Sequence, residues 1–213
     1  MALVQNPIIG EASGKFANSV FFRIFGKNVI RALPLTVKNP QTELQMTQRD
    51  KYKACVAYLR PVLAVIQKGW KEEAVGMSAF NAAIGYMVVN AVQQVGGVWQ
   101  VDPTKLMHAK GTLMTADNLA ATNPTGQTII YTWQDNSGIG DASPDDQFVY
   151  VYFNTTINKV AFGFTTQKRS DQTYSFSAPA GWTGNDVAVF GFFLKSDGSI
   201  ASDDTYCATL TLH

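Results

Sequence analysis

Near residue 104 the spacing of apolar residues changes, and no other feature narrows the folds open to this chain as much. Before it, apolar side chains recur at helical intervals; after it they alternate between frequent turn signals. Short alternating runs separated by Asn-Pro, Asp-Asn-Ser-Gly and Ser-Asp-Gly are the pattern of half-buried strands. The pattern predicts strands near 104–116, 127–134, 147–154, 158–165, 172–178, 186–195 and 204–212. In KVAFGFT, Val160, Phe162 and Phe164 share one side, and in CATLTL, Ala208, Leu210 and Leu212 turn inward. Seven short strands imply an immunoglobulin-like sandwich, with Trp133 and Tyr206 as core aromatics.

Upstream, Asn39 is placed to cap a helix with Pro40 in its first turn. Leu44, Tyr52, Cys55, Val56, Leu59, Leu63 and Ile66 recur on one face of that helix, while Arg49, Lys53 and Arg60 form a basic stripe. Pro61 lies inside the periodic run and demands a kink or restart there. A second helix is predicted from about Met77 to Gln94, ended by Gly96-Gly97. Before both, FFRIFGKNVIRALP at 21–34 reads as a β-hairpin turning at Gly26-Lys27-Asn28. Counting by twos sets Phe22 and Ile24 on one face and Phe21, Arg23, Phe25, Val29, Arg31 and Leu33 on the other. The expected fold is thus α+β: a hairpin and two-helix region over 1–103, then the all-β sandwich over 104–213.

The chain's 213 residues are enough to bury a core without staples. No signal-peptide pattern and no apolar run long enough to span a bilayer is read, so the cytoplasm is the default expectation. Cys55 and Cys207 make neither a disulfide framework nor a metal cluster. The net charge of +1 conceals a split. Residues 1–110 carry 13 Lys or Arg against 6 Asp or Glu, and residues 111–213 carry 4 against 10. Either each half has its own solvated surface, or the basic half faces something acidic, namely nucleic acid or the acidic half of a neighbouring copy.

Motifs for chemistry are sparse. His108 in KLMHAKG and the terminal His213 are the two histidines, and a lone histidine without motif context reads as structural. Neither a P-loop nor a dinucleotide fingerprint is present. Asp135, Asp141, Asp145 and Asp146 lie close in one loop and Asp197, Asp203 and Asp204 in another, without EF-hand spacing; they read first as turn formers, with calcium as the sharper alternative. Arg23, Lys27, Arg31, Lys38, Arg49, Lys51, Lys53 and Arg60 offer a surface for phosphates, with Phe21 and Phe25 able to stack on bases, although no nucleic-acid-binding signature accompanies them. Trp182, if exposed, would suit a sugar ring.

Ser-Gly-Lys at 13–15, VFFRIFGKNVIR and KNPQTELQMTQRDKY together resemble the opening of a family of proteins about this long, a domain of unknown function found in Bacteroidota and their phages. Asn39, Pro40, Thr42, Gln45, Gln48 and Arg49 occupy that family's helix-start motif. The resemblance runs on through NAAIGYMVVNAV to SDGSIASDDTY, and the opening is also similar to small phage virion proteins. It implies a non-enzymatic structural subunit of a phage capsid, tail or connector, made in the host cytoplasm and built into the virion without cofactor or metal. Phe21, Arg23, Phe25, Lys27, Val29, Arg31, Arg49 and Lys53 would form the contact, with the seven aspartates as the acidic partner surface. Its partners would be other copies and other virion proteins, not a membrane; DNA gripped by the basic half is the alternative.

Overall fold

The structure, a computed structural model, describes residues 2–3, 13–36 and 39–213. Two compact units make up the chain, Met1–Met46 and Thr47–His213.

Among the described residues, the first unit contains an antiparallel sheet of four strands in the order β1-β4-β3-β2. These are β1 (Ala2–Leu3), β2 (Gly14–Phe16), β3 (Ser19–Ile24) and β4 (Lys27–Ala32). Ile24 pairs with Lys27, which leaves Phe25 and Gly26 as a two-residue turn, both in the left-handed region at φ 47° and 76°. That is type I′ geometry, whose twist matches the strands it joins. The turn therefore sits one residue earlier than the expected Gly26-Lys27-Asn28, and Phe25 belongs to the turn, not to a face. A one-residue shift also exchanges faces along the second strand.

Helix α1 (Glu43–Leu59) begins at Thr42, whose hydroxyl accepts the Gln45 N–H at 3.4 Å. Thr42-x-x-Gln45 is capping-box spacing, so the cap lies three residues beyond the expected Asn39. The helix stops at Leu59 and restarts as α2 (Leu63–Gly69), the break that Pro61 requires. Ser78 caps α3 (Ala79–Asn90), accepting the Asn81 N–H at 3.2 Å. This helix is shorter than expected. Val92–Val95 and Val98–Val101 form a hairpin, β5 and β6, with Gly96-Gly97 at φ 57° and 82° as its turn. The glycine pair that resembled a helix stop is hairpin chemistry between β-branched runs.

Seven strands follow: β7 (Asp117–Thr122), β8 (Thr128–Gln134), β9 (Gln147–Asn154), β10 (Lys159–Lys168), β11 (Thr173–Ser177), β12 (Asp186–Leu194) and β13 (Thr205–Thr211). They make two antiparallel sheets, β11-β8-β7 and β10-β9-β12-β13. This is an immunoglobulin-like sandwich in which the fourth strand lies beside the third instead of joining the opposite sheet. The expected first strand, 104–116, is an irregular connection with a single bridge, Leu113 to Ser202; β7 takes its place in the sheet. Trp133 is buried and stacks on Phe148 at 4.7 Å, whereas Tyr206, expected in the core, is 37% exposed on an edge strand.

β9 and β12 are buried on both faces. Phe148, Val187, Val189 and Phe193 point into the sandwich with Tyr131 and Trp133. Val149, Val151, Phe153, Ala188, Phe190 and Phe192 point the other way into Leu59, Val62, Ile66, Ala83 and Met87 of the helices. Residues on either side of the expected domain boundary at 103/104 thus share one core, and the second unit has three layers: helices, four-stranded sheet, three-stranded sheet.

Candidate functional site

The N-terminal sheet stands out because its described side chains do not form a buried core. Among its described side chains only Val29 is buried, at 8% exposure. Phe21, Phe22, Val20 and Ile30 are half-covered, while Phe16 (75%), Phe25 and Ile24 are exposed. Directly paired residues of antiparallel strands share a face. The register pairs Val20 with Arg31, Phe22 with Val29, and Lys15 with Val20, so Lys15, Val20, Phe22, Ile24, Lys27, Val29 and Arg31 lie on one face. The Arg31 guanidinium is 5.9 Å from the Phe22 ring centre on that face. The other face carries Phe16, Phe21, Arg23, Asn28 and Ile30. Val29 and Arg31, expected beside Phe21 and Arg23, are therefore on the opposite side from them.

Of the remaining basic residues, Arg49, Lys53 and Arg60 are exposed on or beside α1. Lys51 places its ammonium 4.3 Å from the Trp99 ring centre, and Lys38 lies outside the described residues.

The aspartates divide. Asp135, Asp141 and Asp145 are exposed around an acidic loop whose Ile139 is 56% exposed. Asp135 accepts the Ser137 N–H at 3.0 Å and the Ser137 hydroxyl, bonds that hold its carboxyl below the usual range. Asp141 accepts the Met114 N–H at 3.0 Å, and Asp145 pairs with Lys168 at 2.6 Å. In the second loop, Ser199 N–H donates to exposed Asp197 at 2.8 Å and lowers it likewise, and Gly111 N–H donates to Asp203 at 3.1 Å. Asp146 and Asp204, expected with their neighbours on an acidic partner surface, are turned inward because each answers a buried cation or imidazole. Among the described residues no three His, Cys, Asp or Glu side chains are grouped to hold a metal ion.

Asp146 receives Arg169 Nε at 3.0 Å, both side chains fully buried. The same guanidinium donates to Asn136 Oδ1 at 2.7 Å and to the Met114 carbonyl at 2.8 Å, and lies over the Phe193 ring at 4.4 Å. One arginine thereby ties down both ends of the acidic loop, and Trp133 Nε1–H fixes its backbone by donating to the Arg169 carbonyl at 2.7 Å.

Asp204 accepts both the backbone N–H of His108 at 2.9 Å and its Nδ1–H at 2.5 Å. With a carboxylate on one side of the ring the proton sits on Nδ1, leaving Nε2 to accept the Tyr58 O–H at 2.6 Å. Burial pushes the Tyr58 phenol well above its ordinary value, with the Asp204 charge adding to the effect, so it holds its proton firmly. The three side chains are sealed from solvent and bind α1, the 104–116 connection and the approach to β13 together. Such a triad fixes position. Nothing in the spacing of residues 58, 108 and 204 announced it; only the pairing of a lone histidine with the helical layer brings them together.

A groove of about 750 Å³ runs between α1, β6 and the β9–β10 turn, past Trp99, Gln100, Phe153, Asn158 and Trp182. Trp182 is 7% exposed and set edge-on against Tyr152 at 5.2 Å, so it offers no face to a sugar. Cys55 and Cys207 are free, their thiols raised by burial to about 11 and about 12. Among the described residues no helix is long and apolar enough to cross a membrane.

Comparison with known proteins places the chain in the family of unknown function DUF6266, whose model matches residues 11–208. No curated protein matches it. Solved structures similar to it include the fn3 domain of human collagen alpha-1(XX), at 10% identity and TM-score 0.36, covering 46% of this chain and 84% of that one. A redesigned β-sandwich protein gives 14% identity and TM-score 0.34, covering 48% and 94%, and the fn3 domain of human contactin 1 gives 6% and 0.32, covering 59% and 87%. These likenesses are loose, and the strand order stands on the chain's own hydrogen bonding.

Proposed function

We propose that this member of the family is a non-enzymatic structural subunit that assembles into a repeating structure through its N-terminal sheet. One observation carries the reading: a four-stranded sheet with apolar residues on both faces and, among its described side chains, a single buried one. A sheet needs a second layer to bury its apolar face, and a unit of 46 residues is too small to supply one from within. Another copy supplies it. The likeness of the chain's opening to small virion proteins supports a phage shell, tail or connector as the setting.

Light scattering on the purified protein over a concentration series, with negative-stain microscopy of the eluted species, tests this. Regular rings, tubes or shells are expected. A particle of 23.2 kDa at every concentration counts against the reading.

A second reading is binding of nucleic acid, favoured by the gathering of Lys15, Lys27 and Arg31 on one face of the sheet. It predicts an affinity for DNA that falls steeply with salt as counterions are released. Absence of binding at low salt removes it.

A further inference from the structure

We infer that the cationic face of the N-terminal sheet takes the acidic loop 135–146 of another copy; this rests on the assembly reading above and names the surface that completes it. Lys15, Lys27 and Arg31 lie around an apolar centre in which Ile24 is exposed, Val20 and Phe22 are half-covered and Val29 is already buried. A phosphate backbone would answer the charges and leave that centre wet. The complementary surface must be acidic at its margin and apolar at its middle. Loop 135–146 offers this chemistry: Asp135 and Asp141 are exposed, as is Ile139 between them in sequence, and exposed Asp145 adds a carboxylate shared with Lys168 at 2.6 Å. The loop is also held in shape before binding, by the buried Arg169 beneath it and by Asp141 on the Met114 N–H, so little ordering cost falls on the association.

Sheet and loop are different surfaces of one chain, so the contact is head-to-tail and propagates unless the rotation closes a ring. The other face, bearing Phe16, Phe21, Arg23 and Ile30, is left for a separate contact. Charge sets register and partner choice in such a pairing, and apolar burial holds it.

Charge exchange tests the assignment. Variant A carries Lys15→Glu, Lys27→Glu and Arg31→Glu; variant B carries Asp135→Lys, Asp141→Lys and Asp145→Lys. Each alone sets like charge against like and is expected to lose assembly at concentrations about 100-fold above the wild-type midpoint. Mixed, they restore opposite charges at every junction and are expected to assemble. Because Asp135 accepts the Ser137 N–H within the loop and Asp141 accepts the Met114 N–H from outside it, a third variant, Asp135→Asn, Asp141→Asn and Asp145→Asn, keeps those acceptors; it is expected to fold as the wild type and to assemble more weakly with less dependence on salt.

If B or the asparagine variant assembles as the wild type does while A stays monomeric, the loop is not the partner and only the sheet's role survives. A mixture of folded A and B that stays monomeric overturns the pairing too. If A assembles normally, or the wild type never does, the assembly reading falls and this inference with it. Wild-type protein that stays monomeric yet binds double-stranded DNA or anionic vesicles at low salt assigns the face to phosphate and overturns the proposal.

Discussion

Phe22 lies directly opposite Val29 across the N-terminal hairpin, and this one pairing sorts the charges of the sheet. It brings Arg31 to the face of Phe22 and sends Arg23 to the reverse. An arginine pair that counting by twos had set side by side is split between two surfaces, and a triad of Lys15, Lys27 and Arg31 takes its place.

The turn beside that pair contains a strained residue. Phe25 sits at φ 47°, a region costly for a bulky side chain and comfortable for asparagine before glycine. Phe25→Asn is expected to stabilise the hairpin by about 1 kcal/mol, read as slower amide exchange over 19–32. If stability rises while assembly weakens, Phe25 is retained for its exposed ring.

Removing the hydroxyl of Tyr58 leaves His108 Nε2 buried without its donor. Tyr58→Phe is expected to cost about 1–3 kcal/mol, and His108→Ala, which strips partners from both Tyr58 and Asp204, more. Denaturant titration measures both. Equal and negligible losses would show that the triad does not bind the helical layer to the sheet.

Arg169 answers a buried carboxylate, an amide and a carbonyl at once. Arg169→Ala leaves the Asp146 charge without its partner and is expected to cost about 3–5 kcal/mol, lowering the thermal midpoint by roughly 10 °C for a unit of this size. Lysine should not rescue it, since it cannot present the guanidinium's forked donors. A variant with an unchanged midpoint would remove Arg169 as the support of the acidic loop.

Alkali should unfold the protein in a definite window. Burial raises Tyr58 and Tyr131 well above their ordinary value and Cys207 to about 12. A group whose folded pKa is raised binds its proton more tightly when folded, so its contribution is complete below the unfolded pKa and is lost as pH rises toward the folded one. Stability should therefore hold to about pH 9, the ordinary thiol value, and decline through the phenol range near pH 10. Melting curves between pH 8 and 12 show it, and Cys55→Ser together with Cys207→Ser should delay the onset, since burial raises both thiols.

Six of the sandwich strands were legible because β8, β10, β11 and β13 alternate over a buried face, β9 and β12 are continuous apolar runs buried on both faces, and all six are bounded by turn residues. The first was misplaced, since 104–116 has apolar residues without alternate exposure: it threads between helices and sheet, where His108, Ala109 and Leu113 are buried by different layers. β5 was hidden at the end of a helical pattern because valine serves either structure, β6 lay just past that pattern, and the glycine pair between them fits a helix end as well as a hairpin turn. The exposed interface candidates were legible as residues but not as faces, because the turn's register decides which side each takes. Asp146 and Asp204 read like their exposed neighbours, since the arginine and histidine that bury them lie 23 and 96 residues away.

Amide hydrogen exchange over residues 19–32, followed as a function of protein concentration, tests the central claim most directly. If another copy supplies the sheet's second layer, protection of Val20, Phe22 and Val29 rises with concentration and is lost in the Lys15→Glu, Lys27→Glu, Arg31→Glu variant. Protection that is the same at every concentration would show that the sheet needs no second copy, and would contradict the account.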